Sequence, residues 1–389
     1  MKRTVILLVL DSVGIGALPD AADFGDETSN TLGNVLDANP GLMLPNLTRL
    51  GLGRILEHER LATSEPALAH YGRGMTKTLA KDTISGHWEM MGVVQEVPFQ
   101  TFPEGFPPHI VEELKRRTGR DYLGNTVASG TEIIAELGEE HVRTGSPILY
   151  TSADSVLQIA AHEEVVPLPE LYEICLAARD IMQGECNVAR IIARPFAGEH
   201  PFARTANRKD YAVSAPRPTA IDLLHNAGVA TIGIGKVCDI YAGSGFSECV
   251  KTISNRDGMS KTAVVYAATT SGLIFTNLVE FDSHYGHRND AAGYGQALYE
   301  VDRWLGEFLA DFREDDWLFI VADHGCDPTF PGTDHTREYV PLLAYSPGNP
   351  HGGPLGDRSS LTDIGATILR LFDLTEDFPA QPFARELEG

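Results

Sequence analysis

Cysteine is scarce in this chain, with five residues in 389, at positions 175, 186, 238, 249 and 326. Scattered and odd in number, they argue against a disulfide framework and for a reducing, cytoplasmic setting. Basic residues are also few: 31 against 54 acidic ones, a formal net charge of −23. That balance argues against nucleic acid and anionic membrane as partners. It would also repel a phosphorylated substrate at long range, so any phosphate site must be made positive locally, by metal ions, Arg or Lys. No apolar run approaches the length of a membrane span. Lys2-Arg3 and the apolar residues after them do not make a signal peptide. The run ends in an acid at position 11 and offers no small-residue cleavage site. There is no internal repeat and no low-complexity tract, and nothing specifies a protein partner.

What is present is a set of buried strands that end in acids. Apolar residues make up 43% of the chain, enough for a sizeable interior, and the length calls for one large domain or two. Residues 317–322 form an unbroken apolar run that stops at Asp323-His324-Gly325, with His335 eleven residues beyond His324. An apolar run without polar alternation reads as a buried parallel strand, and ligands of open α/β sheets gather at the carboxyl ends of such strands. The pattern recurs twice. Residues 271–281 lead to Asp282, with His287 five residues on, and residues 5–10 lead to Asp11. One such Asp could be a helix cap. Three, with three His, call for a cation, and mixed Asp/His ligation suits Mn²⁺ or Zn²⁺. Asp11, Asp323 and His324 could hold one ion, and Asp282, His287 and His335 another, a pair suited to phosphoryl transfer. His284 shares a face with Asp282 if the segment is extended, so it could stand in for His287. Asp290, Asp327 and Asp334 read as supporting or solvated acids.

A second functional stretch is KDTISGHWE, residues 81–89, which sets two hydroxyls, Thr83 and Ser85, before an apparent helix at 88–91. Either could be a nucleophile activated by metals or simply the helix cap. Ser85, next to Gly86, is the better cap. The Pro- and Phe-rich segment 96–108 reads as a domain crossing. Residues 97–215 then carry their own α/β pattern and are expected to form a domain inserted into the metal-bearing one, 1–96 and 216–389. Helices are expected at 44–52, 109–117, 170–182, 219–226, with Pro218 at its start, 290–312 and 363–372, capped by Thr362 or Asp363. Strands are expected at 148–151, 188–193, 229–237 and 339–345.

The motifs LVLDSVGIG (8–16), KDTISGHWE (81–89), YTSADSVLQIAAHEEVVPL (150–168), NLVEFDSHYGHR (277–288), ADHGCDP (322–328) and GTDHTREYVPLLAYSP (332–347) together resemble the prokaryotic phosphopentomutase family of the alkaline phosphatase superfamily. The resemblance runs nearly end to end. It implies an alkaline-phosphatase-like α/β core, with a mostly parallel central sheet flanked by helices, and an inserted α/β cap. It implies that phosphate moves between O1 and O5 of ribose or deoxyribose, linking nucleoside phosphorolysis to pentose metabolism. Two Mn²⁺ would be held by Asp11, Asp282, His287, Asp323, His324 and His335, with Thr83 as the phosphorylated nucleophile and a sugar bisphosphate as primer. Ser152, Asp154, Arg190, Arg194, Arg204 and Lys236 are the candidates for binding the small phosphosugar. The one departure is Cys326, where Asn is expected in many members. Beside a metal ligand it should add sensitivity to oxidation, and it is not taken as a ligand. Related chemistry leaves three other readings: a cofactor-independent phosphoglycerate mutase, which is longer and uses Ser; a phosphatase or phosphodiesterase; and a non-catalytic phosphosugar-binding protein.

Overall fold

The computed structural model describes residues 3–152 and 155–388. The chain forms two compact units, Met1–Val97 with Ala215–Gly389, and Pro98–Ser214.

The first unit is built on an eight-stranded sheet. Its order is Glu248–Val250, Thr231–Ile234, Gly272–Leu278, Thr4–Leu10, Trp317–Val321, Val340–Tyr345, His70–Gly74 and Pro354–Arg358. Only Val340–Tyr345 runs against its neighbours. Every residue of the three middle strands, Gly272–Leu278, Thr4–Leu10 and Trp317–Val321, is buried. This is what unbroken apolar runs dictate for parallel strands covered on both faces. The register pairs Leu10 with Leu278 on one side and Val9 with Val321 on the other. Continued two residues further, it sets Asp11 beside Asp323. Helix Ala291–Phe308 buries Tyr294, Leu298, Val301 and Leu305 as one stripe. It is capped by Asp290, whose side chain accepts from Gly293 N at 2.8 Å.

The second unit has a mixed sheet, Leu123–Val127, Ile148–Thr151, Val156–His162, Arg190–Ala197 and Ala203–Arg204, with Lys209–Ala212 also paired to Arg190–Ala197. Alternation along its strands divides its core. Leu149, Leu157 and Ile159 face helices Pro108–Thr118 and Leu168–Ile181, through Ile110, Leu114, Leu171 and Ile174. Ile148, Tyr150 and Ala160 meet Ile133 and Ile134 of helix Gly130–Thr144 on the other face.

Buried His141 fastens that helix to the sheet. Its Nδ1 donates to the Ser146 carbonyl at 2.8 Å, and its Nε2 accepts from His162 N at 2.8 Å. A second ring proton would confront the His162 N–H. Burial accordingly pulls the His141 pKa below the usual value. A depressed histidine contributes stability that is present above the unfolded pKa of about 6.5 and is lost as pH falls below it. Hydrogen exchange of the Val156–His162 amides, corrected for intrinsic rate, should therefore show weaker protection below pH ~6.5 than above it. Equal protection on both sides would contradict the assignment.

Four expectations about local structure need correction. Cys238 and Cys249 form a disulfide, with Cα atoms 6.1 Å apart. Counting cysteines could not show that Cys249 pairs across the sheet with Gly233, whose missing side chain leaves room for the Cys238 sulfur. The helix at 83–90 begins at Thr83, five residues before the apolar signal, so its cap is Asp82, not Ser85. Thr219 caps Ala220–Asn226 in a reciprocal capping box with Asp222, which leaves Pro218 outside. Thr362 and Asp363 are already helical, with Leu361 at the cap position. No helix among the described residues is long and apolar enough to cross a membrane.

Candidate metal centre and nucleophile

The three middle strands deliver three carboxylates to one end of the sheet. Asp11 follows its strand directly, and Asp323 stands two residues beyond Val321. Asp282 lies four residues past Leu278, inside a π-helical turn, Phe281–Tyr285. That turn corrects the extended reading of this segment: His284 bonds Ser283 at 2.9 Å and belongs to no ligand cluster among the described residues. The donors of Asp11, Asp323 and His324 lie within 4.8 Å of one another, as do those of Asp282, His324 and His335. His287 Nε2 and His335 Nε2 stand 3.4 and 3.1 Å from Asp282 Oδ1. The six ligand candidates thus form one cluster in the first unit.

Hydrogen bonds aim these donors inward. The His287 Nδ1–H donates to the Thr333 carbonyl at 2.6 Å and the His324 Nδ1–H to the Gly325 carbonyl at 3.0 Å, leaving each Nε2 free to ligate. Asn277 Nδ2 donates to Asp11 Oδ2 at 2.9 Å. Ser12 N donates to Asp323 Oδ1 at 3.0 Å, from a left-handed backbone with φ of 69°. Such conformations are costly for non-glycine residues and recur at functional sites. His87 Nδ1 is 3.1 Å from Asp323 Oδ2, and His87 Nε2 is 3.0 Å from Asn277 Nδ2. His87 and Asn277 thus brace two of the three acids. Their sequence positions gave no sign of that role, because it depends on which strands are neighbours.

The cluster is electrostatically incomplete. Burial, then the charges of Asp323 and Asp282, push Asp11 well above the usual carboxylate range. Burial acts the same way on Asp282, but His335, His287 and His324 outweigh it and hold that acid low. Asp323 is likewise held below its usual value, His324 and His87 outweighing burial. The neighbouring Asp282, then Cys326, push His287 up to about 11. Four of the buried ligand atoms make no aligned hydrogen bond, Asp11 Oδ1, Asp282 Oδ1, Asp323 Oδ2 and His335 Nε2, although imidazoles stand close to the Asp282 and Asp323 oxygens. Unsatisfied buried groups are costly, and a cation is what oxygen and imidazole donors so arranged accept. The residues therefore fit a divalent metal.

Beside the cluster stands Thr83, first residue of helix Thr83–Met90, its Oγ1 3.2 Å from His324 Nε2. The helix is pressed against the metal-ligand loop. A Cβ on Gly86 would meet the Asp323 carbonyl at 2.5 Å, so glycine is required there. Ser85 is fully buried, its hydroxyl donating to Asp82 Oδ2 at 2.6 Å and lying 3.0 Å from Gln95 Oε1. Of the two hydroxyls, only Thr83 touches the cluster.

Lys236, at the exit of strand Thr231–Ile234, is close enough to pull Asp11 downward. Ser152, Arg190, Arg194 and Arg204 belong to the second unit, and Asp154 lies outside the described residues. Arg190 and Arg194 stand on one strand, and Arg204 lies opposite Phe196 on the next. Arg194 Nε donates to Gln158 Oε1 at 3.1 Å. Burial, then the nearby Arg208 and Arg204, lower its pKa. A cavity of about 720 Å³ in the first unit, lined by Arg54, His58, Tyr71 and Arg73, shares no residue with the metal cluster.

A family profile described as the metalloenzyme superfamily matches residues 3–376. The chain is 52% identical over 388 residues to the phosphopentomutase of Caldanaerobacter subterraneus subsp. tengcongensis, covering 100% of this chain and 98% of that one. It is 52% identical, again over 388 residues, to the phosphopentomutase of Desulfitobacterium hafniense, covering all of both chains. Among solved structures, the PH0037 protein from Pyrococcus horikoshii is similar in fold, with a TM-score of 0.50 at 16% identity, covering 98% of this chain and 99% of that one.

Proposed function

Because the chain belongs to the phosphopentomutase family, within the metalloenzyme superfamily, we propose that it moves phosphate between O1 and O5 of ribose or deoxyribose through a phosphothreonine at Thr83. The observation that carries this reading is the contact between Thr83 Oγ1 and His324 Nε2, at 3.2 Å, beside the unsatisfied carboxylates.

In the reaction, the Oγ–P bond of phospho-Thr83 breaks as the free O1 or O5 hydroxyl of the sugar monophosphate forms its own bond to phosphorus, and the hydroxyl's proton is balanced by the one taken up at the departing Thr83 oxygen. The sugar 1,5-bisphosphate then presents its other phosphate, which returns to Thr83. The net change is an isomerisation, and a bisphosphate is needed only to prime the enzyme. Thr83 sits at the first position of its helix, where the dipole favours the phosphoryl's negative charge. Asp82 holds that first turn through Ser85 N at 3.1 Å. Asp11, Asp282, His287, Asp323, His324 and His335 would hold two Mn²⁺, which supply charge neutralisation at the attacking and leaving oxygens. In the same reading the second unit is the cap, and Ser152, Asp154, Arg190, Arg194 and Arg204, with Lys236 of the first unit, recognise the phosphosugar. A mutase must keep water from the phosphoenzyme, and the cap is assigned that task. The cellular role is to connect nucleoside breakdown with pentose metabolism.

The test is turnover of ribose 5-phosphate with Mn²⁺ and a trace of ribose 1,5-bisphosphate, followed by ³¹P NMR. Ribose 1-phosphate should accumulate to equilibrium. Release of inorganic phosphate as the main product would replace the mutase reading with a hydrolase.

A further inference from the structure

Cys326 stands two residues beyond His324, with its backbone fixed from two sides. Its N–H lies 3.1 Å from the Ser12 carbonyl and 3.2 Å from Thr31 Oγ1. The side chain is buried, and Gly286 packs directly on the sulfur: a Cβ there would lie 2.7 Å from Sγ. Sγ is 3.6 Å from the Asp334 carbonyl, a weak contact that any better partner would outcompete. Sγ also forms a set with a carboxylate oxygen of Asp282 and a ring nitrogen of His287, all within 4.8 Å of one another. Two further observations in that set point to a ligand. Asp282 is only 7% exposed, and its Oδ1 makes no aligned hydrogen bond. The His287 Nδ1–H is committed to Thr333, which turns Nε2 toward the same spot.

We infer that Cys326 is a ligand of the metal held by Asp282, His287 and His335, and that its sulfur biases this site toward thiophilic divalent ions such as Zn²⁺ and Co²⁺. The inference rests on the two-metal reading above and deepens it. The two sites then differ in chemistry. Asp11, Asp323 and His324 offer two oxygens and one nitrogen. The other site offers oxygen, two nitrogens and sulfur, four donors of the kinds zinc accepts. Soft thiolate ligands favour Zn²⁺ over Mn²⁺ or Mg²⁺. Binding converts Cys326–SH to a metal-bound thiolate and releases one proton to solvent. Mn²⁺ still fills the site when it is the only ion offered, but a thiophilic ion displaces it. The expectation that Cys326 stands outside the ligand set is therefore reversed: the strand exit and the π-turn meet at its sulfur.

The experiment is spectroscopic. Metal-free full-length protein, with the Cys238–Cys249 disulfide intact and the remaining thiols kept unoxidised, is titrated with Co²⁺, and bound cobalt is counted by elemental analysis. The wild type should bind two ions and develop a near-ultraviolet sulfur-to-cobalt charge-transfer absorption. Cys326→Ser and Cys326→Asn should lose that absorption. The other free cysteines among the described residues, Cys175 and Cys186, lie in the second unit and leave the signal to Cys326. Two bound cobalt ions without the absorption in the wild type would overturn the Cys326 assignment and leave the six-ligand site standing. Persistence of the band in both variants would overturn it as well. A wild type that binds no cobalt would bring down the metal site itself.

Discussion

The Thr83→Ala protein should lose mutase activity by about 10⁴–10⁶-fold, the scale on which removing a covalent nucleophile acts, while retaining its metal ions. Alanine is well tolerated at the first turn of a helix, and the cap at Asp82 is untouched, so the loss would not come from unfolding. Ser is intrinsically the less hindered nucleophile, and Ser85 lies only two residues away. Its hydroxyl, however, is buried and committed to Asp82 Oδ2 at 2.6 Å. The Ser85→Ala protein should therefore keep most of its activity. Initial rates of ribose 5-phosphate isomerisation for the two variants, with metal content measured on the same samples, make the comparison. An active Thr83→Ala protein, or equal losses in both, would contradict the assignment.

The Asp323→Ala protein should bind at least one metal ion fewer than the wild type, and its activity should fall with it. Asp323 is the most connected acid of the cluster. It accepts from Ser12 N, lies 3.1 Å from His87 Nδ1 and 3.3 Å from His324 Nε2, and adjoins Asp11. Thermal unfolding gives a second reading of the same loss. An ion at a hundredfold excess over its Kd stabilises the native state by about 2.7 kcal/mol, and the variant should lose part of that shift. The pH dependence has a definite sign. Asp11 is raised in the metal-free fold, so its unfolded state releases the proton first. Asp11's own contribution to the stability of the metal-free fold, read as the difference between the wild type and Asp11→Asn, should fall as pH rises from the ordinary carboxylate range, about 4, toward its raised value. Added metal should reverse that loss. Full metal occupancy in Asp323→Ala would contradict the site.

Much of this centre is readable in the chain because buried parallel strands advertise themselves. The apolar runs before Asp11 and Asp323 have one plausible conformation, and their exits are where such sheets place chemistry. Asp282 was visible as a motif, but its π-turn was not. An extended segment there would put His284 on the ligand face as an alternative to His287, and the π-turn rules that alternative out. The bracing of Asp11 by Asn277 and of Asp323 by His87 was hidden for another reason. The first depends on strand Gly272–Leu278 lying next to Thr4–Leu10, a fact of sheet order, and the second on helix Thr83–Met90 packing against the Asp323 loop. The cap at Asp82 was missed because the hydrophobic signal of that helix begins late, whereas Thr83, Ile84 and Ser85 are already helical. The disulfide needed a three-residue edge strand that no periodicity reveals.

The claim that phosphate passes through Thr83 is tested most directly on the phosphoenzyme itself. Wild-type protein loaded with Mn²⁺ is incubated with ribose 1,5-bisphosphate, quenched, digested and sequenced by tandem mass spectrometry. The account predicts one phosphate in the peptide spanning 81–89, located on Thr83. Phosphate on Ser85, or an active enzyme with no phosphate in that peptide, would contradict it.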